Sequence, residues 1–144
     1  DRQTGFNHIL QNANIELDDD LIEYGYPDQN GGELAAQNLL TKQKPFTAVF
    51  VYNDDMALGA IATFEDNGFR VPEDISVLGF DDVTYARFSR PKLSTLLYPI
   101  HEMAIHATEL AIALSNKEEP KKELLGKKYM PRLIKRESTR KIFS

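Results

Sequence analysis

Two pairs of adjacent carboxylates stand where apolar β-forming runs end: Asp54-Asp55 after TAVFVYN, and Asp81-Asp82 after ISVLGF. Carboxylates paired at strand ends can hold Mg²⁺ for phosphoryl transfer or form the acidic pocket of a phosphoacceptor domain. They can also accept hydrogen bonds from a ligand with two neighbouring hydroxyl or amine donors, as sugars have, each charge-assisted bond contributing about 1.5–3 kcal/mol net. Local context separates the pairs. Asn53, Asp54 and Asp55 open a helical run, where Asn or Asp caps the N-terminus and Asp in the first turn complements the dipole. That reading assigns Asp54 and Asp55 to the helix start and applies less to Asn53, which sits at the strand tip. The DVTYARFSRP that follows Asp81-Asp82 has no sustained helical stripe, so a loop role is expected for this pair. Arg2, in DRQTGF, stands in a first helical turn, where a cation opposes the dipole; it either fork-bonds an anion or polar ligand or is a surface arginine.

Other chemistry finds little footing. GGELAA lacks both the GxGxxG spacing and a following Lys-Ser/Thr, so no phosphate-cradling loop is recognised, and no GxSxG elbow occurs. His8, His101 and His106 fall on or near the polar faces of expected helices, away from any serine or carboxylate constellation. The chain has no cysteine, which removes disulfides, thiolate metal sites and thiol redox chemistry. No catalytic residue, metal site or cofactor is expected, and the Mg²⁺ alternative requires Asp81 and Asp82 to bind the ion together.

The elements that must position these groups follow from periodicity. The 144 residues, 42% hydrophobic, suit one domain that buries about two-thirds of its unfolded surface. Phe6, Ile9, Leu10 and Ala13 recur at helical spacing, LIEYG (Leu21–Gly25) has the character of a short strand, and YPDQNGG is turn chemistry. Leu34, Ala35, Leu39 and Leu40 give a second helix its stripe. Thr47–Tyr52 and Ile75–Phe80 are nearly continuous apolar runs, as in strands covered on both faces; between them a helix from about Asp54 to Asn67 ends at Gly68. Leu93–Tyr98 is a further strand, and Tyr129–Ile134 a last one at an edge, given Pro131. This alternation implies βαβ units and a parallel sheet flanked by helices, an α/β fold. After Pro99, Met103, Ala107, Leu110 and Leu114 mark an amphipathic helix that needs a partner surface.

Charge is uneven, −11 over residues 1–116 and +6 over 117–144. The basic residues of the tail alternate with glutamates in KEEPKKE and cluster only loosely in KRESTRK, which reads as a solvated surface rather than a nucleic-acid arm. No run of about 18 apolar residues is present to span a bilayer, and the N-terminal residues lack signal-peptide order. A soluble chain without an export signal is expected, and its start without Met, inside a helix, reads as a fragment of something longer.

The segment VYNDDMALGAIATFEDNGFRVPEDISVLGFDDVTYARFSRPKLSTL resembles the C-terminal core of the effector-binding domain of lac/galactose-repressor family transcription regulators. The resemblance extends from DRQTGF through YPI and the following helix, weakening after about Ser115, and YGYPDQNGGELA looks most like the galactose-repressor branch. It implies a type I periplasmic-binding-protein-like fold, a C-terminal subdomain fragment with no catalytic activity. Residues 1–97 would be the partial C-terminal effector subdomain, 98–120 a crossover and helix belonging to the N-terminal subdomain, and 121–144 a connector, returning strand and tail. Carried over position by position, the effector contacts fall on Arg2, Asn53 and Asp81, with Tyr26 as the candidate stacking aromatic. Met56, Leu58, Tyr85 and Phe88 become homodimer-interface candidates. The implied function is effector binding by a cytoplasmic repressor responsive to a small, galactose-like sugar, contacting operator DNA only through an N-terminal helix-turn-helix domain not included in these residues, and with no membrane partner. The alternative is a periplasmic-type sugar-binding protein of a transporter.

Overall fold

The computed structural model describes residues 2–141. Three strands, β1 (Ala48–Phe50), β2 (Ser76–Phe80) and β3 (Ser94–Leu97), pair in parallel in the order β1-β2-β3, with Val49 opposite Val77 and Gly79 opposite Thr95. The sheet is mixed rather than wholly parallel, because β4 (Arg132–Ile134) lies antiparallel on the outer side of β3, with Leu133 opposite Leu96. The edge placement expected for β4 holds; its direction depends on how the preceding connector returns, which residue patterning does not encode. The helices are α1 (Arg2–Asn12), α2 (Gln29–Thr41), α3 (Asp54–Asp66) and α4 (Ile100–Ser115), with short 3₁₀ turns at Asp19–Leu21, Thr84–Arg87 and Lys122–Leu124.

The core lies between the sheet and α3, whose Ala57, Ala60, Ile61 and Phe64 pack with Val77, Ile75 and Leu93. Phe64 is fully enclosed, and truncation of such a side chain to Ala typically costs about 3–5 kcal/mol. The helix stops as expected, with Gly68 in the left-handed conformation at φ 84°. The glycines of GGELAA and ALGA have a packing explanation. A Cβ on Gly32 would come within 2.1 Å of Met56 O, and one on Gly59 within 2.1 Å of Gln29 O. Only hydrogen at both positions lets α2 and α3 approach this closely.

Several expectations are corrected. Leu21–Gly25 is no strand: Asp18 caps a 3₁₀ turn through the Asp20 N–H, Lys44 binds Asp18 and Asp20, and the following residues pair with no ladder. Leu34 is exposed, and the buried face of α2 is Gly31, Gly32, Ala36 and Leu39. No residue of α1 is buried; Phe6 stacks on Phe50 with ring centroids 5.7 Å apart. Nor is any residue of α4: of its stripe Met103 and Leu110 are half-buried and Ala107 and Leu114 exposed, and Ile105 and Ile112 are exposed as well.

The tail is not simply a solvated surface. Ser138 is fully buried, donating to Val77 O at 2.7 Å and accepting the Ser94 N–H at 2.8 Å. The Arg136 side chain is mostly enclosed. A small hydroxyl and a guanidinium enter a core edge freely when each polar atom finds a partner, and charge counting cannot see those partners. Residues 142–144, the end of the expected tail segment, lie outside the described residues.

Candidate functional site

The C-terminal ends of β1 and β2 lie side by side, and the residues just beyond them bring the polar groups together. Tyr52 and Asn53 follow β1; Phe80 ends β2 and Asp81 follows it. Arg2, from the first turn of α1, lies over this edge. Its guanidinium carbon is 3.8 Å from the Phe80 ring centroid and 4.4 Å from that of Tyr52, and Nη1 donates to Tyr52 O. Cation–π contacts of this kind contribute about 0.5–2 kcal/mol according to how far they are desolvated. Nη2 stands 4.0 Å from the Asp81 carboxylate. That is beyond a hydrogen bond, so neither group is committed to the other and a ligand oxygen can engage both. Burial pushes the Asp81 carboxyl up, opposed by the Arg2 guanidinium.

The three polar residues at the start of α3 divide the work differently from expectation. Asn53 is the helix cap, its Oδ1 accepting the Met56 N–H at 2.9 Å, while Nδ2 donates to Pro27 O at 2.9 Å. One amide hydrogen and one lone pair therefore remain for a ligand. Asp54 is no cap: it is 0% exposed, and it accepts from Thr95 Oγ1 at 2.6 Å and from the Val83 N–H at 2.9 Å. Burial pushes its carboxyl up, the two hydrogen bonds opposing and the charges of Asp81 and Asp82 adding to the rise. Asp55 accepts the Tyr85 hydroxyl.

Asp82 turns away from Asp81 and pairs with Arg136. The two carboxylates thus face different arginines, an arrangement unlike a shared Mg²⁺ site, and no group of three or more His, Asp or Glu among the described residues could hold a metal ion. Tyr26 is 81% exposed on the loop before α2; its neighbour Pro27 is the loop's tie to Asn53. Of the interface candidates, Met56 is a core residue at 6% exposure and offers almost no surface, Leu58 is half-buried, and Tyr85 and Phe88 are exposed, Phe88 at 69%. An apolar cavity of about 310 Å³ under α1, lined by Phe6, Leu21, Ile22, Leu39 and Phe46, includes Arg2 and Tyr52 but neither Asn53 nor Asp81, and so is not the polar site.

Sequence reasoning missed the aromatic cradle of Arg2 and the partnership of Arg136. The cradle had a signal: an aromatic immediately precedes the polar residue at each strand end, Tyr52 before Asn53 and Phe80 before Asp81. Arg136 had none, since its partner is 54 positions away.

A family described as periplasmic binding protein-like domain matches residues 1–139. The HTH-type transcriptional regulator GalR of Escherichia coli (strain K12) is 44% identical over 138 residues, covering 96% of this chain and 40% of that protein. The Ribose operon repressor of Haemophilus influenzae is 38% identical over 108 residues, covering 75% of this chain and 32% of that protein. A solved complex of the transcriptional regulator CelR with cellobiose superposes with a TM-score of 0.86 at 30% identity, over 95% of this chain and 41% of that one. The chain thus spans about a third to a half of the length of the relatives it matches. With the site at the strand ends, the mixed α/β sheet and regulators of this kind aligned along it, the chain belongs to the periplasmic binding protein-like domain family, in its lac/galactose-repressor line.

Proposed function

We propose that this chain is one jaw of the effector-binding domain of a transcription repressor and that it binds a small, galactose-like sugar. The observation that carries the reading is the convergence of Arg2, Asn53 and Asp81 at adjoining strand ends, with Arg2 and Asp81 4.0 Å apart and not hydrogen-bonded to each other. A guanidinium, an amide and a carboxylate together suit the donors and acceptors of a hydroxylated ring, and the Tyr52 and Phe80 rings give it an apolar flank. Tyr26 adds a stacking face from the adjoining loop. A site of this kind rejects analogues that lack the matching hydroxyls, because its polar groups are then left unpaired. The relatives named above are regulators, which favours repression over the transporter alternative.

On this reading residues 98–120, with α4, belong to a second subdomain that closes over the sugar, and the apolar stripe of α4 is covered there. Closure is then coupled to an N-terminal helix-turn-helix that holds operator DNA. The protein is cytoplasmic and a homodimer, with Leu58, Tyr85 and Phe88 at the interface, and it has no catalytic activity.

The test is calorimetric titration of the full-length protein with D-galactose, repeated with Asp81→Ala and Asn53→Ala. Binding heat is expected from the parent, and each variant should bind about tenfold or more weakly, since about 1.4 kcal/mol corresponds to a factor of ten. Heat from a purine or a phosphorylated sugar, with none from galactose and related hexoses, overturns the sugar assignment.

A further inference from the structure

Asp81 and Asp82 are neighbours with opposite tasks, one facing Arg2 and the other bonded to Arg136. Both have positive φ, 111° and 55°. Backbone of this kind costs about 1 kcal/mol or more per non-glycine residue and persists only where surrounding contacts over-determine it. Those contacts are visible. The Asp81 N–H donates to Leu96 O at 2.9 Å, the Asp82 N–H approaches Thr95 Oγ1 at 3.4 Å, and the Val83 N–H donates to Asp54 at 2.9 Å. The Asp82 side chain is gripped by Arg136, whose other terminal nitrogen donates to Leu93 O at 2.8 Å and whose backbone N–H donates to Ser94 Oγ at 2.9 Å. The side chains of the pair are 14% and 10% exposed, so water has little part in holding either charge.

Resting on the reading of Asp81 as an effector contact, we propose that Arg136 is the positioning residue for that carboxylate: by holding Asp82 it fixes the turn that displays Asp81 and the spacing between Asp81 and Arg2. Three carboxylates, Asp54, Asp81 and Asp82, crowd this turn, and Arg136 neutralises the one that points away from the site. Without it Asp82 is a nearly buried, unpaired charge, a state that proteins relieve by protonation or by moving the group to water. Either route frees a strained turn in which Asp81 is the next residue. A lysine at 136 keeps the charge but cannot hold Asp82 and Leu93 O in one planar fork.

The experiment compares the full-length protein with Arg136→Gln and with the doubly neutral Asp82→Asn/Arg136→Gln. Galactose affinity is read by calorimetry, amide hydrogen exchange residue by residue, and folding by circular dichroism. In Arg136→Gln, galactose binding is expected to weaken about tenfold or more, and the Asp82 and Val83 amides to exchange faster relative to those of α3. In the double variant residue 82 no longer carries a buried charge that needs a partner, and both effects largely reverse. Unchanged affinity with exchange raised equally everywhere means that Arg136 only stabilises the fold, and overturns the proposal. If the parent gives no heat with galactose, the sugar reading fails separately, and the exchange pattern alone decides whether Arg136 positions the turn. Should Arg136→Gln not fold, Arg136→Lys carries the same comparison.

Discussion

Asp54 is the residue whose role departs furthest from its sequence context, and its removal has a definite cost. In Asp54→Ala the Thr95 hydroxyl and the Val83 N–H lose their acceptor. Thr95 is fully buried and cannot turn to water, whereas Val83 is half-buried. An unsatisfied buried donor costs about 1–3 kcal/mol. Relief of a buried carboxylate offsets part of this, leaving a net loss of about 2–4 kcal/mol from a domain stability of about 5–15 kcal/mol. Asp54→Asn fits the same space but offers one acceptor for two donors, so about 1–2 kcal/mol is expected. Urea unfolding followed by circular dichroism measures both.

The same residue makes a prediction in pH. Its folded carboxyl is raised by burial, so between about pH 4, where an unfolded aspartate titrates, and the raised value, the folded state binds more protons than the unfolded. Unfolding free energy then falls as pH rises across that window. The amide introduced by Asp54→Asn cannot titrate, so the stability of wild type relative to that variant is greatest below about pH 4 and declines through the raised pKa. An Asp54→Ala loss under about 1 kcal/mol, or a wild-type advantage that grows with pH over this range, refutes the assignment of Asp54 as a buried tie rather than a helix cap.

Gly79→Ala places a Cβ 2.3 Å from Asp54 Oδ1 and 3.1 Å from Leu93 Cδ2. It should cost about 1–3 kcal/mol by overpacking, and less in an Asp54→Ala background, which a double-mutant cycle by urea unfolding detects. The hydrogen bond to Asp55 pushes the Tyr85 phenol up to about 12, helped by burial and by the charges of Asp55, Asp54 and Asp81. Spectrophotometric titration should show the Tyr85 phenol ionising late in wild type and earlier in Asp55→Asn. Its contribution to stability is present below about pH 10 and lost as pH rises through about 12.

The strand ends were legible because TAVFVY and ISVLGF are apolar over a whole strand and stop at polar residues, which locates the ligand edge of an α/β sheet directly. The division of labour at Asn53-Asp54-Asp55 was not. All three residue types satisfy the same capping rule, and the choice among them is made by residue 79. With no Cβ there, a carboxylate from α3 fits against β2, and Asp54 takes the place. Similar long-range causes explain the other departures. Leu21–Gly25 has β-forming residues but no ladder partner, and Arg136 reads as one cation among several until β4 brings it beside Asp82. The α4 stripe was readable from its period alone; what covers it is not a property of the helix.

The site joins two kinds of support. Asn53 and Asp81 are set by part-buried hydrogen bonds, through the cap on Met56 N–H and through the turn held by Asp54, Thr95 and Arg136. Arg2 comes from a helix with no buried residue, laid on the sheet by the Phe6–Phe50 stack and by the guanidinium itself. Segments with few buried contacts open at low free-energy cost, and those bonded into the core do not. On the proposed reading, a sugar bonded to Arg2 and Asp81 together therefore ties a helix with no buried residue to a turn bonded into the core. The binding free energy goes partly into ordering α1, so truncating Phe6 should weaken the sugar without touching it.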